Sequence, residues 1–154
     1  AVSVNLIQVT DLGPDIAILL KEKVEQGEIV VIVGDRTSTT SAGRVMECDF
    51  LGKPAPFSQG PFILAALLDC PVFFLFCLKD HNAQKGLYYR VVFEKYADKL
   101  VLPRKTRQHA LQIVISDYAA RLAHYTALYP YQWFNFYDFW QNDQQVERSN
   151  AKEK

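Results

Sequence analysis

The sequence has few cysteines, and their placement argues against a disulfide-stapled fold. There are 3 cysteines in 154 residues, and Cys70 and Cys77 stand inside the apolar stretch LLDCPVFFLFC. A free cysteine in such a stretch behaves as a small hydrophobic residue. We therefore expect no disulfide framework and a protein from a reducing compartment.

Net charge and long apolar runs are also lacking. The 17 basic and 17 acidic residues cancel, so no overall electrostatic attraction draws the chain to nucleic acid or to an anionic membrane. The longest apolar run is interrupted by Asp69 and falls short of the roughly 20 residues that cross a bilayer. Since no signal peptide is recognisable either, we expect a soluble or peripheral protein.

Several motifs of enzyme chemistry are missing. The sequence contains no GxGxxG, no GxxxxGK[ST] phosphate loop, no GxSxG and no paired CxxC. These motifs ordinarily support nucleotide binding, serine hydrolysis and zinc binding. We therefore expect neither a cofactor nor a metal ion.

What is present is an alternation of strand-like and helix-like segments, which predicts an α/β fold. EIVVIVG and PVFFLFCLK are apolar throughout, as are strands buried on both faces of a parallel sheet. We predict a mainly parallel sheet with flanking helices and an antiparallel edge strand, LYYRVVFE, reached through the turn DHNAQKG. The other predicted elements are strands at 2–9 and 45–50, helices at 14–26, 61–68 and 107–128, and a connection at 51–60.

The two ends of the chain carry their own signals. The first residues, AVSVNLIQV, have the pattern of a strand without an initiator methionine. We therefore expect residues 1–140 to be the carboxy-terminal part of a larger domain. The polar residues 141–154 predict a disordered tail.

The most informative segment is VVIVGDRTSTTSAGR. Its strand-like run ends in Gly34, Asp35 and Arg36, and ligands of open α/β sheets bind at the carboxyl ends of strands. An arginine there can hold a phosphate or carboxylate, and an aspartate can orient a hydroxyl group. The alternative is an Asp-Arg pair that only stabilises a turn. The small residues between Arg36 and Arg44 predict a mobile loop.

A second segment, FLGKPAPFSQGPF, predicts a shaped loop that leads into the amino end of a helix, where an anion can bind. An ordinary loop and helix start is the alternative. Together with GDR and CPVFFLF, this segment resembles, in order and spacing, the lipid A biosynthesis acyltransferases of the lysophospholipid acyltransferase superfamily. YPYQWFNFYDF similarly resembles the His-Pro-Glu-Gln-Trp ending of that group, with Tyr129 and Tyr131 in place of His and Glu.

The resemblance implies a site. GDRTS occupies the place of the acceptor-binding EGTRS block of the glycerolipid acyltransferases, and Pro71 matches the proline of their last block. The implied acceptor-binding residues are Asp35, Arg36, Thr37, Ser38 and Arg44. The implied pocket-shaping residues are Gly34, Gly52, Lys53, Gly60 and Pro71.

The catalytic motif of these enzymes is missing. They use a histidine as general base, followed five positions later by an acidic residue. The residues five positions beyond His81, His109 and His124 are Gly86, Val114 and Tyr129. We therefore expect no catalytic residue in this chain, which alone should be inactive, and a His-acid motif upstream of Ala1.

The aromatic segment from Tyr129 to Trp140 predicts a helix or helical turn with two roles. One face would close the domain, and the other would meet a membrane. Tyrosine and tryptophan suit a membrane interface, so Trp133, Phe136 and Trp140 are candidates to face it. The alternative is that the aromatic side chains only cap the core. The basic stretch Lys95–Arg107 is either a solvated surface or a docking site for an acidic carrier protein or anionic lipid.

The predicted function is that of part of an acyltransferase. It would move a fatty acyl group from acyl carrier protein or acyl-CoA to a hydroxyl of a lipid or glycolipid acceptor, peripherally at the cytoplasmic face of the bacterial inner membrane. Nucleic acid is not an expected partner. The alternatives are a non-catalytic module that binds lipid or carrier protein, and a domain that binds a small phosphate compound through the Arg36–Arg44 loop.

Overall fold

The computed structural model describes residues 6–7, 14–36, 44–82, 86–137 and 139–140. Three helices and two hairpins follow one another along this part of the chain. They are α1 (Pro14–Glu25), β1 (Val45–Phe50), β2 (Lys53–Ser58), α2 (Gly60–Leu68), β3 (Val72–Asn82), β4 (Gly86–Ala97), α3 (Arg107–Leu128) and a 3-10 turn (Pro130–Gln132).

The predicted mainly parallel sheet is wrong. The described residues form two separate two-stranded sheets, β1 with β2 and β3 with β4, and both pairs are antiparallel. Each strand pairs with its neighbour in the sequence through a short connection. No crossover helix joins two paired strands, so the parallel unit expected around α2 does not form.

The segment EIVVIVG was predicted to be the central strand, and this is also wrong. Residues 28–34 have no strand hydrogen bonding, and Ile29, Val31 and Val33 are 83%, 69% and 63% exposed. A β-branched run favours extended backbone, but a strand needs a hydrogen-bonded neighbour. This segment has none among the described residues, so Ile29, Val31 and Val33 are left exposed, while Val30 packs against the buried cluster of Leu20, Leu64 and Leu68.

The connection predicted at 51–60 contains a strand instead. Leu51 and Gly52 have φ angles of 54° and 80°, which is the positive φ that two-residue hairpin turns of the primed types require. The Gly52 amide donates to Asp49 Oδ1 at 3.1 Å. β2 then pairs with β1 in spite of Pro54 and Pro56, because a strand with only one neighbour tolerates residues that lack an N–H.

The second hairpin buries one face, although β3 was predicted to be buried on both. Phe74, Phe76 and Leu78 are buried, whereas the alternating residues Phe73 and Leu75 are exposed. The cause is that Phe74 and Phe76 pack against Tyr118 of α3, and successive side chains of a strand point to opposite faces. The predicted antiparallel pairing of LYYRVVFE is confirmed.

The helices are confirmed. α3 has the predicted bounds, and α1 ends before Gly27, whose φ is +86°, a conformation that glycine adopts at little cost. Of the apolar side chains of α1, Leu20 is buried and Ile16 and Val24 pack beside it, whereas Leu19 is 43% exposed. The core lies between α3 and the two hairpins; its residues from α3 include Leu111, Val114, Ile115 and Ala119, and its residues from the first hairpin include Phe50 and Phe57.

The aromatic segment contains a single turn of 3-10 helix and otherwise follows an irregular path. Phe139 is buried, and the Trp140 indole N–H donates to the Phe50 carbonyl at 3.3 Å. The segment therefore closes one end of the core. The predicted strand at 2–9, apart from Leu6 and Ile7, the loop at 37–43 and the tail at 141–154 lie outside the described residues.

Candidate functional site

A cleft of about 290 Å³ lies beside the edge of β3 that no other described strand occupies. One wall is the segment Val31–Asp35, and the other is Leu75–Leu78 of β3. α3 supplies the floor, and the start of the aromatic segment closes the cleft. The residues of the floor and the closing end are Tyr118, Leu122, Tyr125, Thr126, Tyr129, Gln132 and Trp133.

Gly34 and Tyr118 bring one wall of the cleft into contact with its floor. A Cβ atom placed on Gly34 would lie 3.0 Å from both Cζ and Oη of Tyr118, so glycine is the residue that fits here. The Tyr118 ring is held by edge contacts to Phe57, Phe62 and Phe74. This packing fixes the phenol beneath the backbone that carries Asp35.

Asp35 is half-buried, and its negative charge acts on the phenol of Tyr118. Burial, and secondarily the negative charge of Asp35, raise the pKa of Tyr118 above its ordinary value. The phenol therefore stays protonated over the physiological range and can donate a hydrogen bond. A carboxylate and a phenolic donor thus stand together on an otherwise mainly apolar cleft.

Arg36 follows Asp35 but turns toward the aromatic segment. Its Nη2 donates to the Phe134 carbonyl at 3.4 Å, and its side chain is exposed. Among the ion pairs of the described residues, none joins Arg36 to Asp35. The alternative in which the two side chains pair to stabilise the turn therefore has no salt bridge to support it.

The structure does not gather all the residues that the sequence singled out. Gly34 and Asp35 line the cleft, whereas Gly52, Lys53, Gly60 and Pro71 do not. Gly52 serves the first hairpin turn and Gly60 opens α2. Arg44 is exposed, and its carbonyl accepts from the Gln59 amide at 2.9 Å. Thr37 and Ser38 lie outside the described residues.

The three candidate membrane-facing residues have different surroundings. Trp133 and Trp140 are half-buried and pack on Phe50, with ring centroids 5.0 and 6.0 Å away. Phe136 is 90% exposed and stacks on the exposed Phe134 at 6.3 Å. The surplus aromatic surface therefore includes Phe134 and Phe136, together with Tyr131, which is 93% exposed.

Sequence reasoning missed a polar network between α3 and β4, which includes the hydroxyl of Tyr125 on the cleft floor. Glu94 accepts from Arg121 through both carboxylate oxygens, with Nε to Oε2 at 2.6 Å, and from the Tyr125 hydroxyl at 2.6 Å. The bonds from Arg121 and then from Tyr125 lower the pKa of Glu94 to about 2. This network ties β4 to α3. In the sequence, this network is marked only by an acidic residue on a strand and an Arg-x-x-x-Tyr spacing on a helix. Both features are too common to predict it.

The histidines and metal-ligating groups add no catalytic centre to the described part of the chain. His109 and His124 are exposed on α3. No group of three or more His, Cys, Asp or Glu side chains in the described ranges is arranged to hold a metal ion. The cysteines Cys48, Cys70 and Cys77 are free.

Comparisons with family models, with curated proteins and with solved structures gave no match to this chain. None of its described helices is both long enough and apolar enough to cross a membrane.

Proposed function

We propose that this chain forms the acceptor-binding part of an acyltransferase that esterifies a hydroxyl of a lipid or glycolipid. The observation that carries the proposal is the cleft between Val31–Asp35 and Leu75–Leu78, with Asp35 among its lining residues and Arg36 next in the chain. The resemblance of GDRTS to an acceptor-binding block supports the same site.

The chemistry of the cleft suits an amphipathic acceptor. Valine, leucine and phenylalanine side chains of its walls would cover a hydrocarbon chain, and such burial gains about 25 cal/mol for each Å² removed from water. Asp35 would accept a hydrogen bond from the acceptor hydroxyl. Arg36 is free to leave its exposed bond to Phe134, and would hold a phosphate or carboxylate of the head group.

The reaction itself needs a group that the three histidines do not supply. A hydroxyl attacks a thioester only after a base removes its proton, and no histidine here is followed at the fifth position by an acidic residue. We propose that a His-acid motif elsewhere in the protein is this base. Acyl carrier protein or acyl-CoA would be the donor, and the aromatic surface at Phe134 and Phe136 would hold the site at the cytoplasmic face of the inner membrane.

A non-catalytic lipid-binding module is the second candidate. The lack of a His-acid pair favours it, and it needs the same cleft. The two candidates differ only in whether acyl transfer follows lipid binding. The full reading frame that encodes this chain distinguishes them: a His-xxxx-Asp or His-xxxx-Glu motif in it would support the enzyme, and a frame without that motif would support the binding module.

The site is tested by binding of a lysophosphatidic acid with a fluorescent acyl chain, used below its critical micelle concentration. We expect Arg36→Gln to raise the Kd about 10- to 100-fold, because a hydrogen bond to a charged group is worth roughly 1.5 to 3 kcal/mol. Asp35→Asn should also raise the Kd. This change should affect phosphate binding less than Arg36→Gln does, because Asp35 would contact the acceptor hydroxyl. The matched control is Arg104→Gln, since Arg104 is exposed in the basic stretch away from the cleft. Equal Kd values for Arg36→Gln and the control would contradict the site.

A further inference from the structure

The side chain of Gln132 makes two hydrogen bonds to a single backbone residue. Its Oε1 accepts from the Lys79 amide at 2.6 Å, and its Nε2 donates to the Lys79 carbonyl at 2.6 Å. A carboxamide that takes both groups of one peptide residue reproduces the pairing that a neighbouring strand would offer. Gln132 therefore acts as a one-residue substitute for a strand.

The position of this contact identifies the free edge of β3. In an antiparallel pair, alternate residues direct their N–H and C=O groups toward the partner strand and away from it. Lys79 lies opposite Tyr89 of β4, and its backbone groups face away from β4, because Gln132 occupies both. An unpaired edge is a site of unwanted pairing, and Gln132 covers it at one end of the cleft.

The same segment holds Arg36. The Phe134 carbonyl, two residues after Gln132, accepts from Arg36 Nη2 at 3.4 Å. Between them Trp133 packs on Phe50 at 5.0 Å. The backbone N–H of Gln132 also donates to the Tyr129 carbonyl at 3.0 Å. The backbone that receives Arg36 is thus fixed to β3 through Gln132 and to the first hairpin through Trp133.

We propose that Gln132 is a positioning residue for Arg36. By bonding to the edge of β3, it places the Phe134 carbonyl where Arg36 docks, and so keeps the guanidinium beside the aromatic segment that closes the cleft. The importance of that location for acceptor binding rests on the proposed function. The placement of Arg36 by Gln132 is a separate statement and is tested separately.

The test compares Gln132→Glu with Gln108→Glu. The first replaces the Nε2 donor by an oxygen that faces the Lys79 carbonyl, while the second makes the same chemical change at an exposed residue of α3. The first readout is the NMR signal of the Arg36 Nε–Hε group in the full chain. We expect its shift and order parameter to change in Gln132→Glu and to be unchanged in Gln108→Glu. An unchanged Arg36 signal in Gln132→Glu, with the Lys79 amide signal perturbed, would overturn the proposal.

The second readout is the Kd for the fluorescent lysophosphatidic acid, measured as a double-mutant cycle. Gln132→Glu should raise the Kd about 5- to 10-fold in the wild-type background and have no effect once Arg36 is glutamine, because coupled residues are not additive. An equal loss in both backgrounds would show a general structural role and contradict the proposal. If Arg36→Gln alone leaves the Kd unchanged, the proposed function fails, and the NMR readout still decides whether Gln132 places Arg36.

Discussion

Tyr118 lies so close to Gly34 that a Cβ atom on the glycine would come within 3.0 Å of the phenol. The contact joins the segment that carries Asp35 to the helix that forms the cleft floor. Phe57, Phe62 and Phe74 pack around the ring, so Tyr118 cannot move aside freely. The shape of the cleft, where this wall meets the floor, therefore depends on this glycine.

Gly34→Ala should destabilise the chain by about 1 to 2 kcal/mol, because overpacking usually costs more than the loss of glycine flexibility returns. Urea denaturation measures the effect. In a Tyr118→Leu background the ring is gone, and the same change should be close to neutral. If Gly34→Ala costs as much in that background as in the wild type, the contact does not set the preference for glycine.

The Glu94–Arg121 pair should make stability depend on acid pH. The pKa of Glu94 is lowered from 4.5 to about 2, so its contribution is present above pH 4.5 and is lost as pH falls toward 2. The Arg121 side chain is 39% exposed; solvent screening therefore limits the contribution to about 1 kcal/mol. Glu94→Gln should be less stable than the wild type at pH 6 by this amount, and the difference should shrink as the pH falls from 4.5 toward 2. Glu25→Gln, at an exposed carboxylate of α1, is the control. A constant difference across this range would contradict the linkage.

The purified chain should not turn over an acyl thioester. None of the three histidines is followed at the fifth position by an acidic residue, so the sequence lacks the His-acid pair that would serve as the general base. Release of thiol from an acyl-CoA should equal the rate in buffer. Turnover that His109→Ala or His124→Ala abolishes would place a base within this chain and refute the expectation.

The exposed rings of the aromatic segment should bind vesicles. Phe134 and Phe136 are 63% and 90% exposed, and aromatic side chains favour the membrane interface. Phe134→Ala and Phe136→Ala should each reduce co-sedimentation with vesicles, whereas Trp133→Ala and Trp140→Ala should mainly reduce stability. Phe93→Ala is the matched control, since Phe93 is 60% exposed on the second hairpin. An equal reduction in the control would mean that the chain binds lipid non-specifically.

The helices could be predicted because their signals are local. The spacing of apolar residues in α3 repeats every three or four positions over six turns, and Gly27 marks the end of α1. The sheets could not be predicted in this way. A β-branched run such as EIVVIVG favours a strand, but only the tertiary structure decides whether a partner strand lies beside it.

Two local signals also pointed the wrong way. Leu51 adopts a positive φ next to Gly52, although leucine is not a turn residue, and the prolines of 53–58 favour a loop. At the candidate site, Asp35 and Arg36 were singled out because they end a strand-like run, and Asp35 lines the cleft. Gln132 was not singled out, since its bond to Lys79 joins residues 53 positions apart, and Tyr118 looked like one more residue of an apolar helical stripe.

Photocrosslinking tests the central claim most directly. A lysophosphatidic acid with a diazirine at the end of its acyl chain is bound to the full chain, activated with light and located by mass spectrometry. If the cleft receives the acceptor, adducts will form on its floor and wall, at Tyr118, Leu122 and Val31–Val33, and will be lost in Arg36→Gln but retained in Arg104→Gln. Adducts on Tyr89, Val91 and Phe93 of the second hairpin, unaffected by Arg36→Gln, would show that the lipid binds exposed apolar surface and that the cleft is not the acceptor site.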